Sequence, residues 1–216
     1  MGALLEYFRE LKSGYAVDID IANAMLELNR PSPYIRYMVR FQNYELDYWT
    51  LEGYYLCKYN SMYIPYKERK INGFEIKPGQ DALSAPFSGC LMAYCKDENN
   101  FEQVCHICLL GPNQFGDRRN EWINFCQKQH TDFKVFRPVY DERFGEKLTG
   151  YIDPDYYAAY CKLGLISSEK HFYGITCVIL TARKGNDKRI LFVNIKEEIP
   201  SFDLKSRFLH TKFIPL

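Results

Sequence analysis

A chain of 216 residues in which 28 Lys and Arg nearly balance 27 Asp and Glu has a net charge of +1, so it lacks the one-signed field that nucleic-acid or anionic-membrane binding leaves on a sequence. No apolar run approaches the roughly 20 residues of a membrane-spanning helix, and Glu6, Arg9 and Glu10 interrupt the amino terminus where a signal peptide would carry its hydrophobic stretch. The expectation is one domain over residues 1–216, a monomer with no membrane span and no nucleic-acid partner, either unprocessed or exported without a cleavable signal.

In chain order, residues 4–13 carry apolar positions at Leu4, Leu5, Phe8 and Leu11 and stop at Gly14, which predicts a helix. Residues 15–21 alternate toward a strand, and 22–28 continue as a short helix before Pro31 and Pro33. Residues 34–48 alternate aromatic and β-branched residues with charges; 54–59 and 61–66 repeat the pattern, as a β-meander would. Residues 67–79, with Gly73, Pro78 and Gly79, read as a connection holding at most a short strand at 74–76.

Beyond the central motif taken up below, 117–128 has helical spacing and 135–139 is a strand candidate. Asp153-Pro154-Asp155 followed by 156–164 reads as an N-capped helix ended by Gly164. Residues 171–181 and 189–195 read as two strands joined at Lys184-Gly185-Asn186-Asp187. With 18 Tyr and 15 Phe, much of it in alternating runs, the chain has a β-sheet composition. Seven or more strands against about three helices predict a β-rich α+β fold with stacked sheets and not a parallel doubly wound one. Eight cysteines are not dense at this length and mostly fall inside apolar runs, so they read as reduced, buried thiols.

The chemistry is concentrated in Ser84-Ala85-Pro86-Phe87-Ser88-Gly89-Cys90-Leu91-Met92-Ala93, followed after the polar turn 96–100 by Val104-Cys105-His106-Ile107. Two apolar runs about such a turn predict a β-hairpin. A register centred near Glu98 sets even residues against even, so Cys90 and His106 share a face. The Ser88-Gly89 pair lets the backbone bend before the sulfur and leaves N–H groups free beside it. An imidazole in reach can take the thiol proton and create the nucleophile of a cysteine hydrolase.

The Phe87-Ser88-Gly89-Cys90 stretch with its following His106 resembles the Ser-Gly-Cys signature of the cysteine glutamine deamidase toxins, the group containing the catalytic domain of cytotoxic necrotizing factor and Burkholderia lethal factor. The match to the lethal factor is closer. Lys12-Ser13-Gly14, Pro65-Tyr66-Lys67, Lys77-Pro78-Gly79 and Asn113-Gln114-Phe115 fall in similar order, so the resemblance covers most of residues 1–116 and fades thereafter.

The resemblance implies a sandwich of two mixed β-sheets with peripheral helices that hydrolyses one glutamine side-chain amide of a host protein to glutamate, with no cofactor. It makes Cys90 the nucleophile, His106 the base, and Ser84, six residues before the cysteine, the position whose backbone carbonyl orients the imidazole. It further implies action in the host cytoplasm on a translation-initiation helicase or a small GTPase.

Other readings stay open on the residues alone. The same nucleophile suits a transglutaminase or a thiol protease, and a non-catalytic binding protein on the same fold would keep Cys90 buried and unreactive. Cys105-His106-Ile107-Cys108 with Cys90 or Cys95 invites zinc, although Cys105 and Cys108 point to opposite faces of a strand. His130, His171 and His210 have no partner in sequence and read as surface or core residues. Asn113 and Gln114 offer amides to a substrate carboxamide or simply stabilise their turn.

Overall fold

A computed structural model describes residues 2–18, 21–22, 35–37, 49–87, 90–97, 100–108, 122, 130–138, 153–185 and 187–200. The amino-terminal helix α1 spans Ala3–Glu10. It buries Leu4, Leu5 and Phe8, the stripe its spacing demanded, and Gly14 follows in a turn at φ +86°. The Asp81 carboxylate receives the Leu4 N–H at 3.3 Å and the Ser168 N–H at 2.8 Å, so one buried side chain joins the start of α1 to a distant turn. A Cβ on Gly2 would lie 1.8 Å from an Asp81 oxygen, so only glycine lets the chain pass this close to the carboxylate.

Twelve strands follow among the described residues: β1 (Ile35–Tyr37), β2 (Trp49–Thr50), β3 (Gly53–Leu56), β4 (Ser61–Pro65), β5 (Ile71–Glu75), β6 (Asp81–Ala85), β7 (Leu91–Asp97), β8 (Glu102–Ile107), β9 (His130–Phe136), β10 (Tyr156–Ile166), β11 (Phe172–Ala182) and β12 (Lys188–Glu198). They form a seven-stranded sheet ordered β1-β3-β4-β6-β10-β11-β12 and a five-stranded sheet ordered β2-β5-β8-β7-β9. Each sheet is mixed, through the parallel pairs β4–β6 and β2–β5.

Three apolar layers follow from this arrangement. Met62, Ile64 and Phe172 of the large sheet meet Phe74, Met92, Tyr94 and Phe136 of the small one in a shared core. The outer face of the large sheet packs on α1, and the outer face of the small sheet packs on Trp122. The strand-rich, two-sheet expectation is therefore met, with a single α-helix of any length among the described residues. No helix of the described residues is long and apolar enough to cross a membrane.

The clearest correction lies at 156–164, which is strand β10 and not a helix. Asp153 Oδ1 does accept the N–H groups of Asp155 at 2.8 Å and Tyr156 at 3.2 Å, the bonds expected of a cap. They close a turn instead, because the next eleven residues pair one for one with β11, and that ladder outweighs local helical preference. Gly164 ends nothing: a Cβ there would lie 2.6 Å from Met92 Sδ and 3.2 Å from Phe87, so the glycine lets the two sheets approach.

Smaller differences have similar causes. The connection at 67–79 contains the full strand β5, sheltered between β2 and β8. Residues 57–59 form a 3-10 turn that ends the alternation begun at Gly53. Residue Ala16 makes one bridge to Arg189, where a strand over 15–21 was expected, and Ile21 and Ala22 begin helical geometry. Most of the expected helix at 22–28, the helix at 117–128 apart from Trp122, most of the strand at 34–48, and Asn113, Gln114 and His210 lie outside the described residues.

Candidate active site

The motif sits where the chain crosses from one sheet to the other. Ser84 belongs to β6 of the large sheet, His106 to β8 at the centre of the small one, and Cys90 immediately precedes β7. Between them Phe87 is anchored by donating its N–H to the Lys162 carbonyl at 3.1 Å. Ser88 and Gly89, whose N–H groups were expected beside the sulfur, lie outside the described residues.

His106 is fully buried and stacks on Phe87, with ring centroids 4.2 Å apart and planes 7° from parallel, while Tyr66 meets it edge-on at 5.3 Å. Ser84 Oγ donates to the Ile64 carbonyl at 2.5 Å and lies 2.8 Å from His106 Nδ1. A hydroxyl has one proton, so with that proton on Ile64 the imidazole donates through Nδ1 and its lone pair resides on Nε2. Nε2 is buried and has no hydrogen-bond partner among the described residues. The atom that meets Nδ1 is thus the Ser84 hydroxyl, where the resemblance implied a backbone carbonyl. Burial holds the imidazole pKa down at about 3, so at neutral pH the ring is uncharged.

The hairpin keeps the expected even-to-even parity but is centred one residue later. Lys96 faces Glu102 and Met92 faces His106. Asn100, at φ +63°, turns the chain in the left-handed conformation that asparagine tolerates. Continuing from the Leu91–Ile107 pair, the residue opposite Cys90 is Cys108, and His106 stands diagonal to Cys90 on the same face. The structure therefore joins Ser84 to His106 and seats the Cys90 thiol against Cys108. It makes no hydrogen bond from Cys90 to Nε2.

The Cys108 sulfur is the electrostatically unusual one. Hydrogen bonds from the Cys90 thiol and, at 3.6 Å, from the Tyr66 hydroxyl hold its pKa below the ordinary thiol range against the opposing effect of burial. Burial and the neighbouring Cys108 push the Tyr66 hydroxyl upward. Cys90 itself is 3% exposed.

One of these residues had a readable but unread signal. Cys108 has the parity of Cys90 and His106, which places it on their face once the strands are fixed. Asn72, opposite His106 on β5, is buried with its carboxamide fully used: it donates to the Glu52 and Pro65 carbonyls and accepts from Glu52 N–H and Thr50 Oγ1. It braces the strand beside the imidazole.

Cys105 packs with Trp122 on the outer layer and Cys108 in the inter-sheet layer, the opposite-face arrangement that argued against a shared zinc. Among the described residues no group of three or more His, Cys, Asp or Glu is placed to hold a metal ion. His171 is half exposed and pairs with Glu197 at 2.7 Å, a surface contact. Cys95, Cys161 and Cys177 are buried free thiols, as expected of them, and Cys57 is exposed.

No family model matches the chain, and no curated protein does. Among solved structures it is similar to the C-terminal domain of CNFy from Yersinia pseudotuberculosis, at 8% identity and a TM-score of 0.29. The similarity covers 64% of this chain and 62% of that one, less than two thirds of its length. A likeness of that size transfers neither fold nor activity.

Proposed function

We propose that the chain is a cysteine-dependent protein-glutamine amidohydrolase, an effector or toxin converting one glutamine of a host protein to glutamate, with Cys90 as nucleophile, His106 as base and Ser84 as the group that orients it. The observation that carries this reading is the Ile64–Ser84–His106 chain of hydrogen bonds. It dictates one imidazole tautomer and leaves the Nε2 lone pair unused on the strand face that also carries the Cys90 thiol. The Ser84, Cys90 and His106 pattern of the deamidase toxins supports the choice of substrate bond.

On this reading, an entering carboxamide separates Cys90 from Cys108 and brings it toward Nε2, which takes the thiol proton. The thiolate attacks the carboxamide carbon, and ammonia leaves with the proton returned by the imidazolium. Water then attacks the thioester, giving up its proton to Nε2, and the released Cys90 is protonated again. A neutral resting imidazole suits this sequence, since the thiolate–imidazolium pair forms only with substrate present to exclude water. Action in the host cytoplasm, on a translation-initiation helicase or a small GTPase, belongs to the same proposal.

The test compares wild type with Cys90→Ser on host lysate, followed by peptide mapping for glutamine replaced by glutamate. Conversion by wild type alone is expected; equal conversion by both, or none by either, overturns the reading. A second reading, a non-catalytic binding protein, is favoured by the near-complete burial of Cys90 and its contact with Cys108. It predicts that Cys90 is not labelled by iodoacetamide even when the protein is held with glutamine-containing peptide.

A further inference from the structure

Thiols come together at three places among the described residues. Cys95 and Cys105 both donate to Gln103 Oε1 at 3.7 Å on the outer face of the small sheet. Cys161 faces Cys177 across β10 and β11. Cys90 faces Cys108 at the mouth of the β7–β8 hairpin.

Backbone geometry separates the last two pairs. Cys108 donates its N–H to the Lys70 carbonyl at 3.1 Å, and Glu102, of the same parity, accepts from Ile76 at 3.0 Å. Even residues of β8 therefore bond toward β5, and Cys90–Cys108 is a non-hydrogen-bonded pair with respect to β7. In such pairs the Cα atoms stand about 4.5 Å apart and the side chains are closest, inside the range of roughly 4.4–6.8 Å that a disulfide spans. The Lys162 carbonyl accepts from Phe87, so even residues of β10 bond toward β6 and Cys161 bonds toward β11. That makes Cys161–Cys177 a hydrogen-bonded pair, wider at about 5.5 Å and inside the same range, so spacing permits a link at either pair.

Reactivity separates them. Burial raises the pKa of Cys161 to about 12 and pushes Cys177 and Cys105 well above the ordinary range, so these sulfurs keep their protons. Cys108 is pulled the other way, by the Cys90 thiol and the Tyr66 hydroxyl on its sulfur. A thiolate is the species that peroxides oxidise.

We propose that Cys90 and Cys108 form an oxidative modification site, which hydrogen peroxide closes into a cross-strand disulfide and a dithiol reductant reopens. The Cys108 thiolate attacks one peroxide oxygen and breaks the O–O bond. The departing hydroxide takes a proton to become water, and Cys108 is left as a sulfenic acid. The Cys90 sulfur, its proton passing to the leaving oxygen, then attacks the Cys108 sulfur and expels a second water. Two thiols lose two electrons and two protons in total, and one peroxide is reduced to two waters. Of the two sulfurs Cys90 is the more exposed, at 3% against 0% for Cys108, so solvent meets the pair from the Cys90 side. This site does not depend on the amidase reading; if that reading holds, closure also removes the nucleophile.

Treating the reduced protein with a few equivalents of hydrogen peroxide and mapping the peptides under non-reducing conditions decides the matter. The expected product has lost two hydrogens, joins the Cys90 and Cys108 peptides, and reverts with dithiothreitol. Cys90→Ser, whose hydroxyl keeps a donor on the Cys108 sulfur, should instead leave a Cys108 sulfenic acid that dimedone traps, and Cys108→Ala should leave both adducts absent. In the untreated wild type, whose folding is not in question, iodoacetamide near neutral pH should label Cys108 about ten-fold or more faster than Cys161. A link at Cys161–Cys177 or Cys95–Cys105 instead, oxidation of wild type to sulfinic acid without a disulfide, or equal labelling of Cys108 and Cys161 would overturn the proposal.

Discussion

Lowering the pH from about 7 to about 3 forces a proton onto His106 in a place where nothing receives its charge. Ser84 Oγ already accepts from Nδ1, Phe87 covers one ring face, and Nε2 has no partner among the described residues. The pKa of about 3 in the folded protein stands against 6.5 when the ring meets water. Between those values the unfolded chain binds the proton and the native protein does not, so stability is complete above about 6.5 and is lost as the pH falls toward 3.

Three and a half pKa units at 1.36 kcal/mol each amount to about 5 kcal/mol, comparable to the whole stability of a small domain. The assay is urea unfolding at a series of pH values for wild type and for His106→Asn, whose side-chain amide keeps the donor to Ser84 and cannot titrate. Asp81 contributes with the opposite sign, since burial raises its pKa above 3.8 and stability falls as the pH rises through that interval. It is present in both proteins and cancels. Wild type should lose several kcal/mol more than the variant between pH 6.5 and 3. Parallel profiles, or an imidazole that titrates by NMR near 6.5 in the folded protein, would refute the reasoning.

Three further outcomes follow from the same contacts. Ser84→Ala leaves the buried Nδ1–H without its acceptor and should cost about 1–3 kcal/mol; it also frees the tautomer, so any amidase activity should fall while Ser84→Thr retains most of it. Gly164→Ala would set a Cβ 2.6 Å from Met92 Sδ and 3.2 Å from Phe87. Thermal unfolding should show a loss of about 1–3 kcal/mol from overpacking. Tyr66→Phe removes one of the two donors to the Cys108 sulfur, and the pH midpoint for alkylating Cys108 should move upward, with Cys161 unaffected.

Much of this protein is legible from residue order alone. Alternation along 61–65, the two apolar runs about the polar turn that became 91–97 and 102–107, and the amphipathic stripe of α1 are local signals, and each became the element it predicted. Shared parity of Cys90, His106 and Cys108 is likewise a property of the strand repeat, which no packing can alter. What residue order left open is whatever depends on a partner distant in sequence. The 156–166 segment looks helical beside its Asp cap and becomes a strand because β11 and β6 offer it hydrogen bonds on both edges. A hairpin centred one residue later shifts the pairing by two, which preserves every face yet exchanges the cysteine's neighbour, giving Cys90 a thiol opposite it instead of an imidazole. Only the stacking of two sheets, made close by Gly164, sets the Ser84 hydroxyl against His106 and strips the imidazole of water. The residue types were present in the sequence; their protonation states are products of burial, which exists only once the sheets have closed.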